Sequence, residues 1–100
     1  MLNHIVLVGR LTENLKINAA SDGKKVTSLT LAVPRTFKNI DGLYERDFIE
    51  CILWNNLATN TAAYCKKGDL VGIKGRLQSS KKQIEVIAEK VTFLSTKQGK

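Results

Sequence analysis

Asp47-Phe48-Ile49-Glu50-Cys51-Ile52-Leu53-Trp54 is the stretch from which the fold can be read. Side chains on a β-strand alternate between its two faces, so Ile49, Cys51 and Leu53 line one side and Phe48, Glu50, Ile52 and Trp54 the other. The first side is small and aliphatic, as a core requires. The second spaces two large aromatics around a carboxylate, which suits a dry core poorly. Two rings standing on a sheet surface, in a chain of net charge +7, make a platform on which bases stack. The same rings also suit packing under a loop or against a partner subunit, and the strand alone does not choose between these.

Outward from this strand, most of the chain alternates with the same period. Residues 4–11 place Ile5 and Leu7 on one side and Val6 and Val8 on the other, so both faces are apolar. One face then packs on the core and the other on a neighbour. Residues 15–17 continue this strand after a kink near Glu13-Asn14. Asp22-Gly23 marks a turn, and residues 26–33 follow, with Leu29, Leu31 and Val33 inward. Pro34, the only proline, has no N–H for a ladder and should close that strand or lie at its edge. Residues 35–45 read as a flexible hairpin arm with Asp41-Gly42 at its tip, from which the 47–54 strand returns.

After Trp54 the period changes. Asn55 or Asn56 suits a helix cap, and Leu57, Ala58, Thr61, Ala62, Tyr64 and Cys65 recur at helical spacing, with Tyr64 expected to pack the helix on the sheet. Lys66, Lys67 and Gly68 suit the helix end. Residues 70–78 form a strand with Val71, Ile73 and Leu77 on one face and Lys74, Arg76 and Gln78 on the other. A short turn at 79–82 leads to a last strand at 83–94, broken near Glu89-Lys90. Gly9, Gly72 and Gly75 lie inside strands, where glycine marks bends or close backbone approach. They form no phosphate loop, lacking the lysine and helix that follow one. The order, five strands with one short helix between the third and fourth, is that of an all-β OB-fold, a partly open Greek-key barrel whose outer face binds oligonucleotides. Residues 1–95 make one domain and 96–100 a disordered tail.

Composition narrows the function classes. Sixteen Lys and Arg oppose nine Asp and Glu, and residues 64–82 hold six basic side chains against the single acid Asp69. The resulting pI near 9.7 points to nucleic acid, although anionic membranes and acidic partners attract the same charge. The sequence contains no apolar run of membrane-spanning length and no signal-peptide pattern at its start, so a cytoplasmic location is expected. Cys51, Cys65 and the lone His4 match no zinc spacing, so reduced structural thiols, no metal and no cofactor are expected. His4 has no nucleophile or carboxylate pattern around it, which argues against an enzyme.

Several motifs together resemble one family. Asn3-His4-Ile5-Val6-Leu7-Val8-Gly9-Arg10-Leu11 is similar to the opening of bacterial-type single-stranded DNA-binding proteins. The similarity continues through residues 29–33, 47–51, 64–68 and 71–78, ending near 91–94. It implies an OB-fold subunit, usually a homotetramer, that coats single-stranded DNA without sequence preference in replication, recombination and repair. On the family pattern, Phe37 in the arm, Phe48 and Trp54 match the stacking aromatics. Phosphate contacts are expected from Arg10, Arg35, Lys38, Lys66, Lys67, Lys74, Arg76 and Lys81, with Lys24, Lys25, Lys97 and Lys100 solubilising. A homo-oligomer would assemble through the first strand, most simply as a tetramer, with a dimer the other option.

The chain departs from the family in two places. Its last hairpin, at 79–82, is short and has no aromatic, so part of the usual DNA path is missing. Family members also carry a long disordered tail with an acidic tip that recruits replication proteins, whereas the sequence ends on the basic Lys100. Truncation, a short mobile-element form and a specialised paralogue all fit that ending, and recruitment of replication proteins is not expected from the residues given. Glu50 is awkward beside a phosphate chain; it faces an arginine or lowers affinity. Two other readings stand beside DNA binding: a primosome-type accessory OB protein that acts as an oligomeric interaction module, and a small nuclease.

Overall fold

The structure is a computed structural model and describes residues 1–20, 22–81 and 83–96. In chain order the elements are β1 (Ile5–Leu11), β2 (Asn18–Ala19), β3 (Lys25–Lys38), β4 (Tyr44–Trp54), α1 (Asn55–Tyr64), β5 (Leu70–Ser80) and β6 (Gln83–Ser95). The strands run in the order β1-β5-β6-β4-β3-β2, and β1 also pairs with β3. Five strands therefore close into a ring, with β2 a short addition to the edge of β3. This is the expected OB-fold; β2 is the one strand beyond the five read from the sequence, and residues 15–17 before it, expected to continue β1, form no strand.

Two long antiparallel hairpins, β3–β4 and β5–β6, build most of the barrel. The seams between them are narrow. β1 meets β3 only at Arg10↔Ala32 and Leu11↔Leu31, and β4 meets β6, in parallel, at Cys51↔Val86 and Ile52↔Ile87. Leu11, Leu29, Leu31, Cys51, Leu53, Val71, Ile73, Val86 and Ala88 fill the interior, joined by Ala58 and Cys65 from the helix and its exit. Each strand contributes every second residue, which is why period-two reading found most of them.

Close backbone approach explains two of the strand glycines. A Cβ on Gly9 would lie 2.6 Å from the Ala32 carbonyl oxygen, and one on Gly75 only 2.2 Å from that of Ile87. Gly75 lies where β6 slips register, Lys74 pairing with Lys90 and Gly75 with Ala88, so β6 accommodates an extra residue at Glu89 instead of breaking. Gly72 differs from the expectation: its nearest neighbours would be 3.8 Å away, an ordinary contact.

Four further expectations are corrected. β3 does not close at Pro34 but runs to Lys38; Pro34 pairs with Arg46 alone, past the last β1 partner at Ala32, so it takes the edge position that was the other expectation, and the register slips after it. The helix starts after Trp54 with no side-chain cap, Asn55 taking a left-handed φ of 55°. It ends at Tyr64 on an extended Cys65, so Lys66 and Lys67 lie beyond its last turn and Gly68 (φ 91°) turns the loop after it. Tyr64 does not pack on the sheet; it is 77% exposed, and Ala58, Thr61 and Cys65 bury the helix instead. Leu77 shares the inward parity of Val71 and Ile73 yet is exposed, because β5 has by then left the barrel for the hairpin. Of the tail, residues 97–100 lie outside the described residues.

Candidate nucleic-acid interface

The outer faces of β3 and β4 form one surface because cross-strand partners point the same way. Ala32 lies opposite Phe48, Thr30 opposite Glu50, Ser28 opposite Ile52 and Val26 opposite Trp54. Cys51 and Leu53 are sealed in the core, so alternation turns their neighbours out: Phe48 is 66% exposed and Trp54 40%. Six residue steps of strand separate the rings, about 20 Å at strand rise. Open clefts flank this row. One, of about 530 Å³, is lined by Trp54, Ile52 and Glu50 with Gln78, Ser80 and Glu85 of the last hairpin. Another, of about 280 Å³, runs from Glu50 to Glu13, Asn14 and Lys16 in the loop after β1.

Beyond the barrel, β3 and β4 continue as an arm with two unlike faces. One carries Lys38, Tyr44, Arg46 and Phe48, since Lys38 pairs with Tyr44 and Arg46 with Pro34. The Lys38 ammonium stands 5.6 Å from the centre of the Tyr44 ring, a cation–π distance. The opposite face is an ion cluster. Arg35 donates from Nη2 to Asp47 Oδ1 at 2.8 Å, from Nε to both Asp47 oxygens, and from Nη1 to Glu45 Oε1 at 2.9 Å. The Arg35 hydrogen bonds hold the Asp47 carboxyl below the usual carboxylate range, and Asp47 in turn raises Arg35. At the tip, the Asn39 side chain accepts from the Asp41 and Leu43 amides, closing the turn around Gly42 (φ 79°). Phe37 lies on this arm, 83% exposed.

The expected cations divide into three groups, the first joined by Arg46, which was not among them. Arg10 and Arg46 line one pocket of about 480 Å³ with Pro34 and Ala32, at the foot of the arm. Arg10 Nη1 also donates to the Gly68 carbonyl at 3.0 Å, which brings the Lys66–Lys67 loop to the same end of the barrel. That loop is fixed by its own amides: Lys66 N–H donates to Asp69 Oδ2 and Lys67 N–H to Asn14 Oδ1. Lys38 completes this group from the arm. The second group is already engaged, Arg35 by Asp47 and Glu45, Arg76 by Glu89 at 3.5 Å and Gln78 at 2.6 Å. The third stands apart. Lys74 pairs with Val6 and Lys90 on β5, the wall across from β3 and β4, and Lys81 occupies the last hairpin turn at φ 55° beside Lys82, which lies outside the described residues.

Arg46 and Tyr44 were not singled out by the sequence reading, although their even numbers place them in register with Phe48. Glu50 faces no arginine: among the described residues it forms no ion pair. His4 is exposed and both cysteines are free and buried. Among the described residues no group of three His, Cys, Asp or Glu side chains is placed to hold a metal ion.

This chain is similar to known proteins over nearly its whole length. It is 42% identical to single-stranded DNA-binding protein B of Bacillus subtilis (strain 168), in an alignment covering 97% of this chain and 94% of that protein. Single-stranded DNA-binding protein 3 of Listeria innocua is 42% identical, covering 99% and 68%. Single-stranded DNA-binding protein A of the same Bacillus strain is 44% identical over 99% of this chain, which spans 63% of that relative's length. Residues 2–94 match the family described as the single-strand binding protein family; together with the OB barrel, the exposed aromatic row and these relatives, that match shows that the chain belongs to that family.

Proposed function

We propose that this chain binds single-stranded DNA without sequence preference, in replication, recombination and repair, by stacking bases on Phe48, Trp54 and Phe37 and holding phosphates with cations at the arm. The observation that carries this is the exposure of Phe48 and Trp54 on one outer row of the barrel. Every base has a π-face, so stacking on these rings tolerates any sequence and contributes roughly 1–3 kcal/mol per base. Phosphates then meet Arg10, Arg46, Lys38, Lys66 and Lys67, which cluster at the arm and the adjoining barrel end. Lys74, Arg76 and Lys81 reach a strand that passes around the barrel, and Arg35 acts through the arm it braces. Binding involves no chemistry on the DNA and no cofactor, and the protein works in the cytoplasm, at the nucleoid. No helix among the described residues is long and apolar enough to cross a membrane.

Assembly is part of the reading. Val6 (72% exposed) and Val8 stand on the outer face of β1, and Val8 and Leu94 both flank Gly72, each within 3.9 Å of where a Cβ on that residue would lie. An apolar strip of this kind suits a second copy of the chain, with a homotetramer as the working state and a dimer as its half. The same strip is the one feature that favours the alternative, an accessory OB protein whose main task is protein contact. Titration with oligo-dT separates the two. DNA binding predicts quenched Trp54 fluorescence and a log–log salt slope of about −4 if roughly six phosphates are engaged. No quenching at low salt overturns it in favour of the interaction module.

A further inference from the structure

Glu50 occupies the place on the aromatic row where a phosphate is least welcome. It is one pleat from Phe48 along β4, about 7 Å at strand rise, and lies between that ring and Trp54. It lines both clefts beside the row, together with Glu13 in one and Glu85 in the other, and Lys16 is the single cation lining either. Among the described residues its carboxylate has neither an ion pair nor a hydrogen bond, so both oxygens are open to a ligand. A strand lying on this row therefore turns its phosphates toward the arm cations and its bases toward Glu50.

We propose that Glu50 is a base-selecting residue, accepting hydrogen bonds from the Watson–Crick edge of a guanine stacked on Phe48. The inference rests on the stacking role given to Phe48 and Trp54 above. A carboxylate only accepts, so it rewards bases by the donors they present. Guanine offers two adjacent donors, N1–H and the exocyclic N2 amino group, which match the two carboxylate oxygens as a charge-assisted bidentate pair. Thymine offers N3–H alone, flanked on both sides by carbonyl oxygens that repel the carboxylate. Cytosine and adenine present one amino group beside a ring acceptor and fall between. The result is a bias by base superimposed on binding that is otherwise indifferent to sequence, through the Watson–Crick edges that single strands leave open.

The test uses fluorescently labelled oligo-dT, the same oligomer with isolated thymines replaced by deoxyguanosine, and a third with deoxyinosine at those positions. Inosine keeps N1–H and loses the amino group. Anisotropy titrations at pH 8 in lithium buffer, which disfavours guanine quadruplexes, compare the full chain with Glu50→Gln and Glu13→Gln. The unmodified protein is expected to bind the guanine oligomer at least about fivefold more tightly than oligo-dT, with the inosine oligomer near oligo-dT. Glu50→Gln, an isosteric change on an exposed strand position, brings the guanine-to-thymine ratio within about twofold, while Glu13→Gln raises both affinities and preserves the ratio. Tight binding of all three oligomers at one affinity overturns the inference alone. Binding of none overturns the DNA-binding reading beneath it. An equal gain for guanine and thymine in Glu50→Gln also overturns it, because Glu50 would then act on phosphates only.

Discussion

Cys51 and Glu50 are neighbours in sequence and meet opposite environments. Burial pushes the Cys51 thiol up to about 11, with the nearby Glu50 charge adding to the shift. An acid whose pKa is raised on folding is held protonated by the native state, whereas the unfolded chain releases that proton near its ordinary value of 9.0. This contribution to stability is therefore complete below pH 9 and is lost as the pH rises from about 9 to about 11. Thermal unfolding followed across that window should show a steeper fall in midpoint for the unmodified chain than for Cys51→Ala, which starts lower because it leaves a cavity in the core. The glycines make a second contrast at this scale. Gly75→Ala forces a Cβ onto the Ile87 carbonyl and should cost about 3 kcal/mol or more in urea unfolding at fixed protein concentration. Gly72→Ala, with no neighbour closer than 3.8 Å, should change the midpoint little.

The arm shows what a strand pattern reveals and what it leaves out. Alternation read β4 correctly because sidedness is a property of consecutive residues, and a one-residue error would have placed Glu50 in the core. It could not reveal partners. Arg35 reads as a free cation until β3 and β4 fold back and bring Asp47 and Glu45 against it. Pro34 reads equally as a stop or an edge residue until the pairing leaves one side of β3 free there, and Tyr64 reads as packing because helical spacing does not tell where the last turn leaves the sheet. Arg46 escaped notice inside a run of mixed charge, though its parity with Phe48 was legible. The Arg35 cluster makes a testable claim about this element. Asp47→Asn removes the charge that holds Arg35 and should speed hydrogen exchange at the arm amides while leaving the barrel amides protected. In the unmodified chain the same loosening should appear only in acid. Asp47 has a lowered pKa, so its bond to Arg35 is intact above the ordinary carboxylate range and fails as pH falls through the lowered value. Oligo-dT affinity should drop with Asp47→Asn if a braced arm presents Phe37, and should rise if release of Arg35 to phosphate outweighs bracing.

For the whole molecule, closure of the ring decides which apolar residues stay unpaired. Ile5 and Leu7 turn into the barrel, so Val6 and Val8 must turn out, and among the described residues no element buries them. Lys74 lies beside Val6 on β5 and Lys90 beside Lys74 on β6, giving the apolar strip a basic border. Two copies meeting on this strip would gather positive charge at the seam, and a polyanion wrapped across it would relieve that repulsion. Assembly and DNA binding should therefore favour each other, and both should respond to one lesion. Val6→Glu with Val8→Glu adds two carboxylates per copy at an exposed surface, so the barrel should still fold and Trp54 should still be quenched by short oligo-dT. Light scattering should then show the monomer mass where the unmodified chain shows a multiple of it. Long poly-dT should lose far more affinity than the short oligomer, because linked sites no longer act together. A monomeric mass for the unmodified chain, with equal affinity for short and long strands before and after the substitution, would mean that each barrel acts alone and that Val6 and Val8 face water to no effect.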